Sequence, residues 1–313
     1  MIFPWKKYEE IPLSCRNTLQ VFITTKCNLH CAGCFARKVM DHQEEIRYQE
    51  YVEAVANAQR KGAEQINLLG GEPTLHPDLS RMVMFNQDLG LKTTLYTNGY
   101  FLKDWYESGA KIRISLYSAH GDYKSLDTLQ VDYPVDICFM VSNKTTVEEL
   151  LGVVEDPRCQ ILFISSLREL DNPRHEFFDD TVNTMPVMQY KELVHEFLWR
   201  YDGPKEIHVS KRGMFESTIN PGLYHCRFAN YIPGNKIIQC PYDIVNLRYQ
   251  KDYQFGIRPC QHNSTCLMSK VIYRRRILDH FKDVRESVAR WPEWKRNIGH
   301  GLGPTLSESG EVL

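Results

Sequence analysis

Residues 19–35 read LQVFITTKCNLHCAGCF. Leu19–Thr24 is a short apolar run rich in β-branched and aromatic residues, the pattern of a buried strand. Cys27, Cys31 and Cys34 follow almost at once, within eight positions. In a parallel α/β sheet, a loop that directly follows a strand lies at the carboxyl end, where functional groups collect. The cysteines are spaced i, i+4, i+7, so a loop of helical curvature would aim all three sulfurs at one point. Three thiolates suit a zinc ion completed by a histidine, with His30 the local candidate. They equally suit a four-iron cluster whose fourth iron has no protein thiolate. Here a three-residue gap precedes a two-residue gap, unlike the paired two-residue spacings common in zinc sites. Free structural thiols rarely cluster in this way.

Further strands are expected at 65–69, 93–97, 111–116, 135–141, 160–165 and 206–209. Helices are expected at about 44–61, 78–89, 101–108, 146–155 and 186–200. Thr145-Thr146-Val147-Glu148-Glu149 has a threonine cap and acids in the first turn, and Met185-Pro186 offers a proline at a helix start. Such alternation predicts an α/β fold with a parallel sheet. Six or seven units fall short of the eight that close a barrel, so a partial (β/α)6 TIM-like barrel is expected. From about residue 213 the chain turns rich in turn residues and cysteines. The domain reading is a lead-in at 1–18, a barrel at 19–212, an irregular metal-held appendage at 213–272, and a helix (about 271–290) with a Gly-rich tail at 273–313.

The 313 residues, 42% hydrophobic, suffice for one large core. Lys plus Arg number 38 against 39 for Asp plus Glu, which gives no field to attract nucleic acid or an anionic membrane. The Tyr273–Arg276 run is read as a solvated helix face. No stretch is long and apolar enough to span a bilayer, and MIFPWKKYEEIP has no signal core, so a cytoplasmic location is expected. Ten cysteines in a reducing compartment point to metal rather than disulfides.

The second strand runs into Gly70-Gly71-Glu72-Pro73 and the third into Thr97-Asn98-Gly99. Each alone is an ordinary turn; the paired glycines permit close backbone approach. CxxxCxxC after the first strand, GGEP after the second and TNG after the third together resemble the radical S-adenosylmethionine (SAM) superfamily, over roughly residues 19–210. The resemblance implies that Cys27, Cys31 and Cys34 hold a [4Fe–4S] cluster whose unique iron is chelated by SAM. It implies that Gly70, Gly71 and Glu72 meet the methionine amino group. Asn98, Ser115, Ser142 and Leu167 are the further implied SAM contacts, Ser115 toward ribose or carboxylate and Leu167 toward adenine. Many members carry an aromatic residue before the third cysteine; here Gly33 stands there and Phe35 follows. By period two, Arg113, Ser115 and Tyr117 share one strand face, a polar face that hints at a cavity lining, with Arg113 and Tyr117 toward substrate. Cys138 and Cys159 are read as small core residues.

Cys226, Cys240, Cys260 and Cys266 form a second set, with gaps of thirteen, nineteen and five residues. Four thiols suffice for a closed cluster or for zinc. The stretch resembles the SPASM and Twitch extensions of radical SAM enzymes. Gly234 lies one residue further from Cys240 than usual. Ile257 and Lys270 occupy positions that are cysteine in the full SPASM motif, so the one-cluster Twitch form matches better and implies a second, auxiliary [4Fe–4S] cluster.

The reading is therefore an enzyme that cleaves SAM reductively to a 5′-deoxyadenosyl radical and abstracts hydrogen from a small sugar, nucleotide or metabolite. An external one-electron donor of flavodoxin or ferredoxin type is implied. The early start of the barrel leaves no preceding peptide-binding domain, which favours a small molecule. The alternatives are a peptide-modifying maturase and, in a different class, an iron–sulfur electron carrier or sensor. Lys211, Arg212, Glu216, Tyr242 and Asp243 are substrate-wall candidates that also read as surface residues.

Overall fold

Every residue of Thr18–Thr24 (β1) is buried, which explains why its sequence is almost wholly apolar or hydroxylated. The computed structural model describes residues 16–29, 31, 34, 36–40, 44–100, 109–117, 131–166, 185–210, 223–240, 243–244, 247–259 and 270–273. After β1 come helices Arg37–Met40 (α1) and Tyr48–Arg60 (α2), strand Gln65–Gly70 (β2), and a 3-10 turn at Pro73–Leu75. Helix Leu79–Asp88 (α3) and strands Lys92–Thr97 (β3), Lys111–Tyr117 (β4) and Val135–Val141 (β5) follow. Next are Val147–Glu155 (α4), Cys159–Ser166 (β6), Val187–Arg200 (α5) and Glu206–Ser210 (β7). The remaining strands are Leu223–Cys226 (β8), Phe228–Ile232 (β9), Lys236–Ile238 (β10), Gly256–Pro259 (β11) and Lys270–Tyr273 (β12).

The strands β1 to β7 run side by side and parallel, as the alternation predicts. The full sheet has the order β10-β9-β1-β2-β3-β4-β5-β6-β7-β12 and two free edges, so it is open. One face packs against the helices. Leu19, Val21, Ile23, Ile66 and Leu68 meet Tyr51, Val55, Met82 and Val83 there, and Ile137, Phe139 and Leu162 meet Leu150, Val154 and Val194. Within α2 and α3 the buried positions recur at helical spacing, so each helix turns one stripe to the sheet. Thr146 caps α4 by accepting from the Glu149 N–H at 3.2 Å, as its sequence predicts.

The C-terminal segment differs from the expected irregular appendage. Strand β9 pairs parallel with β1, and β10 pairs antiparallel with β9, so residues 228–238 extend the main sheet at one edge. At the other edge β12 pairs with β7, and Lys270–Tyr273 is strand where a helix from about 271 was expected. The β9–β10 turn uses positive φ at Gly234 (83°) and Asn235 (57°), residue types that tolerate it. Glu50 on α2 fixes the turn, accepting from the Gly234 and Asn235 N–H groups at 2.9 and 3.1 Å. Only β8 and β11 stand apart, as a two-stranded ladder. The helix expected at 101–108 and the tail lie outside the described residues.

A buried polar contact within the helix-facing core joins α2 to α3 and β3. The buried Tyr51 hydroxyl donates to Asn86 Oδ1 at 2.7 Å, and Asn86 Nδ2 donates to Thr93 Oγ1 at 3.1 Å. Tyr51→Phe keeps the ring but strands the Asn86 oxygen. A loss of about 1–2 kcal/mol is expected, read from the urea midpoint at unchanged slope.

Candidate active site

The carboxyl ends of β1, β2 and β3 meet through their backbones. Beyond the sheet, the Gly71 N–H donates to the Thr24 carbonyl and the Glu72 N–H to the Lys26 carbonyl, both at 2.8 Å. This contact leaves no room for side chains. A Cβ on Gly70 would lie 2.2 Å from the Thr24 oxygen; on Gly71 it would lie 2.2 Å from the Lys26 oxygen and 2.8 Å from Cys27 Cβ. The paired glycines are thus the reason the cysteine loop can sit on β2.

Cys27, Cys31 and Cys34 are all half-buried on this loop. The Leu29 N–H points at Cys27 Sγ at 3.4 Å, and the Cys34 N–H turns back to the Cys31 carbonyl at 3.3 Å. Burial pushes the Cys27 thiol up, the Leu29 N–H pulls it down, and the Glu72 carboxylate raises it further. Beneath the loop, Cys34 packs on an apolar cluster of Phe22, Leu69, Ala36, Val39, Ile232, Ile238 and Ile244. Among the described residues, no three His, Cys, Asp or Glu side chains close around one ion position. A [4Fe–4S] cube takes each thiolate on a different iron, so its ligands surround a cluster and not a point. Three soft thiolates on one loop, with an N–H donor at one sulfur, fit that group. His30, Gly33 and Phe35 lie outside the described residues.

Glu72 is 1% exposed and joins this loop to the third strand end. Its Oε1 accepts from the Thr97 hydroxyl at 2.7 Å, and its Oε2 from the Asn98 N–H at 2.7 Å. Asn98 Nδ2 donates in turn to Asn28 Oδ1 at 2.8 Å, beside Cys27. So the Cys27–Cys34 loop, Gly70–Glu72 and Thr97–Asn98 form one bonded unit.

Below this rim, the sheet face turned away from the helices is polar. Register aligns Tyr96, Arg113 and Asp136 across β3, β4 and β5. Arg113 donates to the Tyr96 hydroxyl at 2.7 Å and to Asp136 Oδ2 at 3.1 Å, and Lys111 reaches the same oxygen at 3.1 Å. The guanidinium lies 3.7 Å over the Phe163 ring of β6, which packs on His208 of β7 at 4.4 Å. Burial works against the Arg113 charge, but Tyr96 and Asp136 beside it raise its pKa, while burial pushes the Tyr96 phenol up. Nearer the rim on the same face, Ser115, Cys138 and Ser165 are half-buried, with Cys138 Sγ 3.9 Å from Ser165 Oγ. Cys138 therefore lines this face, where a core position was expected. Cys159 is a core residue, its thiol pushed up to about 12 by burial.

Ser142 is 2% exposed and spent on the turn after β5; its N–H donates to Thr145 Oγ1 at 2.9 Å, and its Oγ accepts from the Lys144 N–H at 3.3 Å. Leu167 lies outside the described residues. Cys226 precedes β9 and Cys240 follows β10, so both lie at the amino end of β1, opposite the Cys27 loop. Gln239 connects this end, its amide donating to the Phe228 carbonyl at 2.8 Å and the Gln254 carbonyl at 3.0 Å. Cys260 and Cys266, with Lys211, Arg212, Glu216 and Tyr242, lie outside the described residues; Asp243 is 1% exposed, not a surface residue. The polar floor escaped sequence reading except for β4. Tyr96, Asp136 and His208 share its phase, but only register brings them together.

Residues 21–155 match the model of the Radical SAM superfamily. Over these residues the chain carries a radical SAM domain. A SAM-dependent nucleotide dehydratase of Thermoplasmatales archaeon (strain ISO4-H5) is 35% identical over 86 residues, 27% of this chain and 30% of that protein. A probable GTP 3′,8-cyclase of Pyrococcus abyssi (strain GE5 / Orsay) is 27% identical over 190 residues, 52% of this chain and 60% of its own length. The chain thus spans less than two thirds of either relative. The crystal structure of Streptococcus suis SuiB bound to S-adenosylmethionine aligns with a TM-score of 0.53 at 16% identity, covering 74% of this chain and 61% of that one. That likeness is one of fold. No helix among the described residues is long and apolar enough to cross a membrane.

Gly71→Ala is expected to part the cysteine loop from β2 and lower iron uptake in anaerobic reconstitution. Gly152, with nothing within 4 Å of an added Cβ, is the control. Gly152→Ala within α4 should leave iron uptake unchanged and raise stability by about 0.5–1 kcal/mol.

Proposed function

We propose that this chain is a radical SAM enzyme acting on a small molecule, a nucleotide foremost. The observation that carries the reading is the bonded union of the three-cysteine loop, the Gly70–Glu72 turn and the Thr97–Asn98 turn at one mouth of the sheet. Cys27, Cys31 and Cys34 would hold a [4Fe–4S] cluster. The reduced cluster, when bound, would supply one electron to the sulfonium of bound SAM, whose S–C5′ bond would break to give methionine and a hydrogen-abstracting 5′-deoxyadenosyl radical.

The chain's own residues position and enclose. Gly70 and Gly71 let the SAM-binding turn lie against the cysteine loop, and Asn98 holds the facing turn to Asn28. Ser115 lies on the half-buried polar face below and is our choice for a ribose or carboxylate contact. Leu167 completes the proposed SAM contacts, whereas Ser142 is buried in the turn after β5 and is not kept among them. Arg113, its guanidinium 3.7 Å over the Phe163 ring and paired with Asp136, is our choice for a donor toward a polar substrate. Such a lining excludes bulk water while offering hydrogen bonds. The names of the relatives, a nucleotide dehydratase and a GTP cyclase, support a nucleotide.

We further propose a second [4Fe–4S] cluster on Cys226, Cys240, Cys260 and Cys266, in the manner of a Twitch extension. Its support is that β9 and β10 bring Cys226 and Cys240 to the same end of the sheet. Electrons would enter from a flavodoxin- or ferredoxin-type donor, and cysteines read as cluster ligands suit the reducing cytoplasm.

The test is anaerobic reconstitution, dithionite reduction and addition of SAM. Formation of 5′-deoxyadenosine and methionine is expected, with about eight irons per chain. Cys27→Ala should abolish cleavage. Cys226→Ala with Cys240→Ala should leave about four irons and retain cleavage. No 5′-deoxyadenosine from iron-loaded wild-type protein would falsify the enzyme reading.

A further inference from the structure

The resemblance assigns Glu72 to the methionine amino group of SAM, yet its carboxylate is already occupied. An ionised carboxylate offers about four lone-pair sites. Oε1 accepts from the Thr74 N–H at 3.1 Å, the Thr74 hydroxyl at 2.6 Å and the Thr97 hydroxyl at 2.7 Å. Oε2 accepts from the Asn98 N–H at 2.7 Å. Oε1 thus carries three donors and Oε2 one, and the side chain is 1% exposed, which leaves little room for a further partner.

The donors come from two segments. Thr74 lies in the 3-10 turn that Glu72 itself caps, whereas Thr97 and Asn98 end β3. The Glu72 N–H meanwhile donates to the Lys26 carbonyl at 2.8 Å, next to Cys27. Asn98 returns to the same loop through Asn28. A closed circuit results: cysteine loop, Glu72, Asn98, cysteine loop. Hydrogen bonds to an ionised acceptor are the strong ones, and a buried donor stripped of its acceptor is costly. An ammonium group would find Oε1 filled and Oε2 enclosed in a side chain that is 1% exposed, so reaching it would require the rim to open.

We infer that Glu72 is a positioning residue. Its carboxylate clips the Thr97–Asn98 turn to the cysteine loop and so sets the SAM-binding geometry, without itself ligating the SAM amino group. The inference rests on the SAM-binding reading above.

The experiment compares iron-loaded wild-type protein with Glu72→Gln, Thr97→Val and the double variant. Affinity is read by equilibrium dialysis of radiolabelled SAM and of a SAM analogue lacking the α-amino group. The shift of the reduced cluster's electron paramagnetic resonance spectrum on SAM addition is the second readout. Glu72→Gln puts an amide N–H against the existing donors, so it should weaken SAM and the analogue by the same factor, about ten-fold or more. Thr97→Val removes one donor to Glu72 and should weaken both ligands in the same ratio. The double variant should be no worse than Glu72→Gln. A direct amino-group ligand predicts the reverse: Glu72→Gln weakens SAM but spares the analogue, and Thr97→Val spares both. That result overturns the inference. If Glu72→Gln takes up no iron, Thr97→Val decides alone: equal weakening of both ligands supports the clip, and unchanged SAM affinity overturns it. Wild-type protein that binds no SAM overturns the parent reading together with this one.

Discussion

The backbones of β1 and β2 approach at their carboxyl ends until a Cβ at Gly70 or Gly71 would stand 2.2 Å from a carbonyl oxygen. The other features of the mouth depend on that approach. It lets the Gly71 and Glu72 N–H groups continue the ladder past the sheet into the cysteine loop. It holds Cys27 against β2 and carries Glu72 under the β3 turn. Three loops that would each be loosely held become one rigid rim. Any larger residue would separate strands that the main-chain hydrogen bonds hold together, so the cost falls on the whole rim and not on one contact.

Beneath the rim the sheet departs from the rule that parallel strands are apolar on both faces. Arg113 and Asp136 form an ion pair whose acid is wholly buried, with Tyr96, Lys111 and Phe163 arranged around it. Such a pair adds little net stability against an apolar alternative, because both ions lose their hydration. At this depth it fixes polar groups on the sheet face turned away from the helices. The Phe163 ring lies 3.7 Å from the guanidinium, and the bonds to Tyr96 and Asp136 hold that group in place.

The C-terminal segment contributes structurally at two places. Strands β9 and β10 extend the sheet beside β1, and Ile232, Ile238 and Ile244 complete the apolar cluster on which Cys34 packs. The support of the cysteine loop therefore comes partly from residues some two hundred positions later in the chain. Glu50 on α2 and Lys236 paired with Glu44 tie this edge to the N-terminal half.

Local spacing by itself determined much. The strand at Leu19–Thr24, the three-cysteine loop after it, the glycine pair and the Thr146 cap are all carried by residues within a few positions of each other. The apolar runs also announced the seven parallel strands, because a strand buried on its helix side must show that in its sequence. Tertiary structure alone decided which strands lie side by side. It set Arg113 level with Asp136, placed β9 against β1, and filled the Glu72 carboxylate with donors from Thr97 and Asn98. A strand of three residues such as β10 carries too little periodicity to be read, and no local pattern encodes a partner on another strand. Register and long-range pairing are properties of the assembled sheet, where packing of the apolar face fixes every alignment at once.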